Sequence, residues 1–461
     1  MNLEQLRKQA KELVRTARDG DPVALERLRD LRVRLASAQL VIAREHGFAS
    51  WPALVHRLEA SVESFVIAAT SGHGDRARRL LEARPEIAGD RWARLVLGRG
   101  WDGEPNEVGG PRDWPALHYV SHSCFASVEL AGTLLEGGAD PNAYFPNEFG
   151  PMSVLFGAAG VLHNPELTAL LLEHGADPNG EPQFGDALYH AVEAKDAACL
   201  RLLLENGARP RGSNALAHAL DYERLEHVRL LLEAGADANE GALLVHAVRR
   251  GRSVDYIRPL IEHGAELDRR GGEWSTPPEQ YRTAYQNAVA RGRDDVAELL
   301  AELGASTELR PGDIEVAAVV RGERPARPLP TEMDPDQQEA VILAALDGHL
   351  ELVVGLLGPS FFGHNGGGPP GTLLHHACWV GNREIVGRLL ELGADPMAPS
   401  GAKEGFPLAW TVLGSQDHRL PGRDYVGVAE QLVAAGAIVE PRFIEYAHGP
   451  LAGWLEDHIE R

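Results

Sequence analysis

Two similar blocks decide the fold of this chain: GDALYHAVEAKDAACLRLLLENGARPRG (185–212) and SNALAHALDYERLEHVRLLLEAGADANEG (213–241). They superpose without a gap over Ala187–Leu204 and Ala215–Leu232. Each block predicts a short helix of small residues, a charged corner, a Leu-rich helix and a closing Gly-Ala pair. Because neither Leu face can be buried alone, each block needs a neighbour of the same shape, and the sequence predicts a stacked array.

The Gly-Ala pair recurs along the chain at intervals of 37, 32, 28, 29, 40, 89 and 43 residues, at Gly138, Gly175, Gly207, Gly235, Gly264, Gly304, Gly393 and Gly436. The segment GTLLHHACWVGNREIVGRLLELGADP (Gly371–Pro396) resembles an ankyrin repeat at most defined positions. This resemblance implies an all-α fold, an ankyrin-type α-solenoid of stacked helix–turn–helix repeats with short or irregular fingers and helical caps.

A second resemblance lies near the amino terminus. The segment QLVIAREHGFASWPALVHRLE (39–59) resembles one found at the front of many bacterial ankyrin-repeat proteins. Only four lysines occur, so 45 − 4 = 41 of the basic residues are arginine, which is typical of a high-GC bacterial coding bias. We therefore expect a bacterial ankyrin-repeat protein with a helical N-terminal extension.

The repeat intervals predict where the fingers are short. An ankyrin repeat of about 33 residues carries a β-turn finger between its helix pairs. The intervals of 28 and 29 residues must have lost most of that finger, while those of 37, 40 and 43 have lengthened it. The array should therefore have a notch at Gly207–Gly241, flanked by the long loops Asn179–Gly185 and Asp268–Gln280.

These patterns predict six segments. They are 1–61, an N-terminal helical cap; 62–111, degenerate repeats and a long loop; 112–311, core repeats; 312–358, atypical helical repeats with a Pro-rich linker; 359–442, C-terminal repeats; and 443–461, a C-terminal capping helix.

The charge is strongly acidic and uneven. The net charge is −22, and residues 1–61 carry eleven basic and eight acidic residues, or +3, which leaves −25 for the remainder. Nucleic-acid affinity depends on clustered Lys and Arg, so we expect no nucleic-acid partner. A solvated acidic solenoid explains the charge, and a basic protein partner is the alternative.

Cysteine usage and hydropathy predict the compartment. The three cysteines are dispersed and form no C-x-x-C pair, which fits a reducing compartment and excludes a disulfide framework. The amino terminus is charged and amphipathic, unlike a signal peptide, and no apolar run approaches 18 residues. We expect a cytoplasmic protein with no membrane partner.

The resemblance also implies which residues line the binding groove. In ankyrin-like stacks the first helices line a concave groove, and their exposed positions are the residue between His and Ala in L-H-x-A and those three and four later. In this chain these positions hold Tyr119, His122, Gly157, Gly160, His190, Glu193, His218, Asp221, Tyr222, His246, Arg249, Arg250, Asn287, Arg291, His376, Trp379 and Trp410.

Three interpretations of the groove histidines stay open. They could be structural, packing and hydrogen-bonding to loops. His190 and His218 could share a metal ion with Glu193 or Asp221, although no ligand signature is present. They could also perform acid–base chemistry or bind a polar ligand, because His and carboxylate at i, i+3 share one helix face.

The other groove residues predict binding. Arg249, Arg250 and Arg291 are either a solvated charge run or an anion-binding set. Exposed Trp379 and Trp410 favour contact with a protein. No phosphate-binding loop, nucleophile elbow or dinucleotide fingerprint occurs, and we expect no cofactor and no metal.

The preferred prediction is a scaffold that binds a protein or peptide partner in the concave groove. The alternative is a cofactor-free enzyme acting on a small polar or anionic substrate, with His190, Glu193, His218, Asp221 and Tyr222 as its catalytic residues. Truncated fingers beside Gly157 and Gly160 motivate this alternative, because they would leave a pocket. The sequence alone does not decide whether the chain is an enzyme.

Overall fold

The computed structural model consists of two compact units, Met1–Asp237 (unit 1) and Ala238–Arg461 (unit 2). It describes residues 3–29, 31–145, 151–180, 187–272, 277–364, 369–401, 405–416, 423–440, 442–447 and 450–458. Parts of three predicted loops, at 181–186, 273–276 and 365–368, lie outside the described residues, as does the end of the predicted capping helix.

Unit 1 is a series of short helices joined in pairs. The helices are α1 (Leu3–Arg18), α2 (Pro22–Leu28), α3 (Leu35–Glu45), α4 (Trp51–Glu59), α5 (Val62–Ala69), α6 (Gly74–Ala83), α7 (Arg91–Val96), α8 (Ala116–His122), α9 (Val128–Glu136), α10 (Pro165–Glu173), α11 (Ala187–Ala191), α12 (Ala198–Glu205), α13 (Ala215–Asp221) and α14 (Leu225–Glu233), with a 3-10 turn at Pro85–Gly89 and a π-helix at Phe156–Val161.

Unit 2 continues the same pattern. Its helices are α15 (Leu243–Arg249), α16 (Val254–Glu262), α17 (Ala284–Ala290), α18 (Asp294–Glu302), α19 (Asp313–Val320), α20 (Pro335–Ala344), α21 (Leu350–Leu357), α22 (Leu373–Trp379), α23 (Arg383–Glu391), α24 (Pro407–Gly414), α25 (Tyr425–Ala434), α26 (Phe443–Tyr446) and α27 (Pro450–His458), with 3-10 turns at Glu240–Ala242 and Pro278–Gln280 and a kinked turn at Ala345–His349.

The Leu-rich helices follow the sequence pattern. Leu200 and Leu203 of α12, and Leu231 of α14, are fully buried. Gly207 and Gly235 follow these helices with φ of +91° and +90°, a left-handed conformation that costs an L-residue steric strain. The predicted all-α stack of helix–turn–helix repeats is therefore confirmed.

Three short antiparallel hairpins form the fingers that the structure describes. Their strands are β1 (Val108–Gly109), β2 (Trp114–Pro115), β3 (Tyr144–Phe145), β4 (Met152–Ser153), β5 (Phe362–Gly363) and β6 (Gly371–Thr372), paired in that order. No strand occurs in the connections 206–214 and 234–242, both of which the structure describes throughout. The prediction that the two shortest repeat intervals have lost their fingers is therefore correct.

Asparagine side chains join consecutive repeats. In unit 1, Asn142 donates from Nδ2 to the Gly175 carbonyl at 2.9 Å, and its Oδ1 accepts from the Asp177 amide at 2.7 Å. Asn106 and Asn179 make the same two bonds to the next repeat in unit 1, and Asn239 makes them in unit 2. Each asparagine therefore clamps the Gly-Ala turn of the following repeat.

One link in unit 1 lacks this clamp. Arg211 occupies the position that Asn142 and Asn179 hold in their repeats, two residues after the turn. Its guanidinium pairs with the Asp237 carboxylate at 3.1 Å. The repeats of α12 and α14 are thus joined at this edge by an exposed ion pair, which is worth less than 1 kcal/mol in most measured cases.

A buried arginine organises the middle of unit 2. Arg282 is fully buried and bonds to Asp313 and, at 2.5 Å, to Asp334. Gln337 adds a bond to Asp313 at 2.8 Å. These contacts tie the starts of α19 and α20 to Arg282, which lies two residues before α17. No helix occupies 321–334, where the sequence analysis predicts a Pro-rich linker.

The segment Pro335–Leu357 is long and apolar enough to cross a membrane by length and composition, a feature that the sequence analysis missed. Its backbone is broken at Gly348, where φ is +109°. Val341, Ile342 and Val353 are fully buried in the core of unit 2. The segment 335–357 is therefore two helices of one repeat, α20 and α21, which pack in the core of unit 2.

Helices α1 to α4 share a core that includes Leu6, Leu13, Ile42 and Leu54. Further along, the loop around Trp101 packs on unit 1, because the Trp101 ring lies 4.7 Å from that of Trp92. The six segment boundaries given above remain predictions.

Replacing Asn142 by Ala should lower the free energy of unfolding by roughly 1–2 kcal/mol, since two inter-repeat hydrogen bonds are lost. Urea unfolding followed by circular dichroism measures the change. The matched control is Asn206→Ala, because Asn206 bonds only within its own helix end, to Leu202. A loss for Asn142→Ala no larger than that of the control would contradict the clamp.

Candidate functional site

A polar cluster on the first-helix side of unit 1 centres on Glu193. Its Oε1 accepts a hydrogen bond from His190 Nδ1 at 2.8 Å and another from His218 Nε2 at 3.0 Å. The two histidines come from consecutive first helices, α11 and α13. The sequence placed all three residues on one face, and the structure brings their side chains together.

The backbone around Glu193 is held on both sides. Its amide donates to the His190 carbonyl at 3.1 Å, just beyond the end of α11. Arg224 of the next repeat donates to the carbonyls of Ala194, at 2.8 Å, and of Glu193, at 3.4 Å. Main-chain contacts from two repeats therefore position the carboxylate.

The two imidazoles keep Glu193 ionised. Burial alone would raise the pKa of Glu193, but the hydrogen bonds from His190 and His218 outweigh it and lower the pKa to about 2. The ring nitrogens that face Oε1 are Nδ1 of His190 and Nε2 of His218, and each donates its hydrogen to that oxygen. The cluster is thus a carboxylate oriented by two imidazole donors.

Aromatic rings enclose the cluster. Tyr189 stacks on His218 with centroids 3.9 Å apart and an interplanar angle of 14°. Tyr222 meets His218 edge-on at 4.8 Å, and Phe156 meets His190 at 5.0 Å. Burial raises the pKa of Tyr189, and the negative charges of Glu193 and Asp221 raise it further. The space around the Tyr189 hydroxyl is therefore electrically negative.

The cluster is partly open to solvent. The side chains of His190, Glu193 and His218 are 30%, 27% and 14% exposed. Both hydrogen bonds that Glu193 accepts go to Oε1. Oε2 accepts no hydrogen bond from any residue in the described ranges, so one carboxylate oxygen is available to a ligand.

From the sequence alone, Gly157 and Gly160 are expected to leave space for a pocket. In the structure, neighbouring side chains occupy this space, so the expectation is corrected. A Cβ at Gly157 would overlap the His122 ring, and one at Gly160 would lie 2.7 Å from His190 Cβ. Both glycines sit in the π-helix Phe156–Val161, where neighbouring first helices approach too closely for a larger residue. Their space is filled by histidine side chains.

Tyr119 and His122 were expected to be exposed, and both are buried. The Tyr119 hydroxyl donates to the Gly109 carbonyl at 2.8 Å and accepts from the Arg112 amide at 2.9 Å. The His122 ring lies 5.1 Å from that of Trp114. The long loop before α8 folds over these positions, which the register of the helix alone does not reveal.

Most of the other histidines have the structural role. Imidazole N–H groups of His118, His227, His375 and His376 lie within 3.3 Å of the backbone carbonyls of Met152, Asp196, Gly405 and Gly363. His190 and His218 differ, because they bond to a side-chain carboxylate. Among the residues that the structure describes, no group of three His, Cys, Asp or Glu side chains could hold a metal ion.

The arginines expected to bind an anion are already paired within unit 2. Arg249 Nε contacts Asp336 at 2.7 Å and Arg249 Nη2 contacts Glu339 at 3.0 Å, while Arg291 contacts Glu339 at 2.5 Å. Both arginine side chains are only 8% exposed. Burial raises the pKa of Glu339, but Arg291 and Arg249 outweigh it and the net pKa is lowered.

Some of the other groove residues predicted in unit 2 are buried, and some are exposed to solvent. Asn287, His376 and Trp410 are buried, contrary to the expectation that they face the groove. Trp379 is 40% exposed, as expected, and contacts the Trp410 ring at 6.0 Å. Arg250 is exposed and His246 half-buried.

Sequence reasoning missed three residues. Tyr189 lies one position before His190, outside the expected positions, and its counterpart in the next block is Ala217, so the repeat gave no signal. Asp336 and Glu339 were missed because they come from a helix that follows the irregular linker 321–334. Only the arrangement of the folded chain reveals these two partners.

An open cavity of about 410 Å³ lies elsewhere in unit 1, at the corner between α5 and α6. Its lining residues are Gly72, His73, Gly74, Asp75, Arg76 and Arg79. None of the predicted site residues lines it.

Replacing Gly157 by Ala should lower the free energy of unfolding by roughly 1–3 kcal/mol, because the added methyl group overlaps His122. The control is Gly132→Ala in α9, where the nearest atom is 3.9 Å from the added Cβ. That variant should be neutral or stabilising by up to about 1 kcal/mol. Equal effects of the two substitutions in urea titrations would show that Gly157 does not mark a close approach.

Acid should destabilise unit 1 through its buried histidines. Burial lowers the pKa of His118 to about 4 and that of His122 to about 3. The unfolded chain takes up these protons near pH 6.5, so the free energy of unfolding falls as pH decreases from there towards the folded values.

Replacing His122 by Leu should therefore reduce the slope of unfolding free energy against pH by up to about 1.4 kcal/mol per pH unit. Denaturant titrations between pH 3 and 7 measure the slope. The control His46→Leu changes an exposed histidine and should leave it unaltered. An unchanged slope in His122→Leu would contradict the assignment.

Two family models match the chain. Residues 155–242 match a model of three ankyrin repeats, and residues 372–400 match a single ankyrin repeat. No curated protein matches the chain.

Solved structures also resemble it. The human ASB11 ankyrin repeat domain is 23% identical, with 52% of this chain and 98% of that chain covered and a TM-score of 0.35. The ankyrin repeat domain of Bcl-3, a member of the IkappaB protein family, is 26% identical, with 43% and 89% covered and a TM-score of 0.34. The family models therefore identify ankyrin repeats at 155–242 and at 372–400 of this chain.

Proposed function

We propose that this chain is a scaffold that binds a protein or peptide partner on the first-helix face of unit 1, where Glu193 and its neighbours lie. Ankyrin repeats are a protein–protein interaction module, which supports a scaffold role. The main observation behind this proposal concerns four partly exposed side chains, those of Tyr189, His190, Glu193 and His218. Hydrogen bonds and ring contacts hold them in place. Ordered side chains lose little entropy on binding.

The composition supports a partner that carries positive charge. The net charge of −22 raises the local concentration of basic partners and opposes nucleic acid. We place the protein in the cytoplasm, since its three cysteines are free thiols, as a reducing compartment favours. In unit 2, the exposed Trp379 is the residue of the predicted groove best suited to a second contact.

Acid–base catalysis is the second candidate function. The observation that favours it is the carboxylate–imidazole contact, because a carboxylate that bonds to His190 Nδ1 orients the ring as in a general acid–base pair. The space that motivated a substrate pocket is filled at both Gly157 and Gly160. An exposed, ordered surface suits recognition better than it suits enclosure of a small substrate.

Peptides selected from a random display library on the full chain should compete for the first-helix face of unit 1. Replacing Tyr189 by Ala should weaken their binding by tenfold or more, as is usual for a central aromatic residue. Fluorescence anisotropy with labelled peptides measures the dissociation constants, and circular dichroism checks the fold of each variant.

The matched control is Tyr446→Ala, which removes an exposed tyrosine from unit 2. It should leave the affinity unchanged. If every selected peptide bound the Tyr189→Ala variant as tightly as the original chain, the proposed binding face would be wrong.

A further inference from the structure

The geometry points to Glu193 as the acceptor for a basic side chain of the partner, a lysine or an arginine. This inference rests on the proposed function and specifies the chemistry that the first-helix face of unit 1 recognises. Three observations support it: the hydrogen bonds to one oxygen of Glu193, the charges near the carboxylate, and the aromatic rings beside it.

The carboxylate has one oxygen committed and one available. Oε1 takes the N–H groups of His190 and His218 at 2.8 and 3.0 Å. Oε2 accepts nothing within the described part of the chain. The two imidazoles hold the carboxylate in one rotamer, so Oε2 has a fixed direction, which reduces the entropy that a ligand must remove.

No lysine or arginine pairs with the Glu193 carboxylate within the described residues. Its partners are the two histidines, and both of them bond to Oε1. Arg224, the arginine that touches its backbone, donates to main-chain carbonyls and not to the carboxylate. Glu193 thus differs from Glu107 of the same unit, which pairs with Arg91 at 2.9 Å.

A half-buried carboxylate that pairs with no lysine or arginine is a strong site for a basic side chain. Partial removal from water strengthens the attraction to an incoming cation relative to a fully exposed carboxylate. Hydrogen bonds between ionised groups are roughly twice as strong as those between neutral groups. A bound basic side chain would form an ion pair with the Glu193 carboxylate.

The neighbouring tyrosines favour a cation over other ligands. Tyr189 and Tyr222 flank His218, at centroid distances of 3.9 and 4.8 Å. The faces of aromatic rings attract ammonium and guanidinium groups. The charge of Asp221 also acts on the Tyr189 hydroxyl. An anionic ligand, such as a phosphorylated or acidic peptide, would be repelled here.

The test uses peptides from the display selection described above, with the full chain as the receptor. Each binding peptide is synthesised with its arginines replaced one at a time by citrulline, or its lysines by acetyl-lysine, which removes the charge and keeps the shape. These peptides are measured against the original chain and against Glu193→Gln. We expect one basic position at which the loss of charge weakens binding about tenfold.

The decisive readout is the coupling between the two changes. Glu193→Gln should also weaken binding about tenfold, and the neutral peptide should bind the original chain and the variant equally well, because the interaction is already absent. The matched control Glu205→Gln removes the same charge from an exposed position on α12 and should show no coupling. Raising the salt concentration should reduce the affinity of the charged pair more than that of the neutral peptide.

Two outcomes would overturn the inference in distinguishable ways. If binding depends on Tyr189 but no basic position couples to Glu193, the cation subsite is wrong and the proposed function stands. If no peptide binds through Tyr189, the proposed function fails and the subsite fails with it. Circular dichroism checks the fold of the Glu193→Gln variant, and the citrulline or acetyl-lysine substitution tests the charge of the ligand on the original chain as well.

Discussion

The asparagine clamp is the interaction on which the repeat stack of unit 1 depends. A helix pair with a Leu-rich face has no fixed register against its neighbour, because apolar contact is non-directional. The two bonds from Asn142 to the Gly175 carbonyl and the Asp177 amide supply that register. They satisfy backbone groups at the end of a helix that would otherwise need water. Register along one edge then fixes which first-helix side chains face each other.

The candidate site lies where this clamp is missing. Between the repeats of α12 and α14, Arg211 pairs with Asp237 instead of clamping the turn. On the first-helix side of the same pair of repeats, Glu193 bonds to both His190 and His218. Part of the role of Glu193 is therefore structural, since it joins two repeats whose outer edge is weakly held. That role uses Oε1 alone, so it is compatible with recognition through Oε2.

The sequence predicted the fold well because its signals are local and repeated. Leu-rich helices followed by Gly-Ala and the short intervals around Gly207 and Gly235 led to the correct repeats and to the correct loss of fingers. Helical spacing also placed His190, Glu193 and His218 on one face. Helical spacing cannot predict what covers a face. Tyr119 and His122 are buried by a preceding loop, and Arg249 and Arg291 are occupied by carboxylates that arrive 87 and 48 residues later in the chain.

The two carboxylate clusters of the chain show why one face is available and the other is not. In unit 2, Asp336 and Glu339 meet two guanidiniums, and the four side chains are almost fully withdrawn from water. Such a network satisfies its own charges, and a ligand would have to break buried ion pairs, which is costly when one partner is left uncompensated. In unit 1, imidazoles replace guanidiniums around Glu193. They donate hydrogen bonds to Oε1 alone, so the carboxylate keeps its geometry and leaves Oε2 for a cation. The identity of the donor, more than the position of the acid, therefore determines which acidic cluster can recognise a partner.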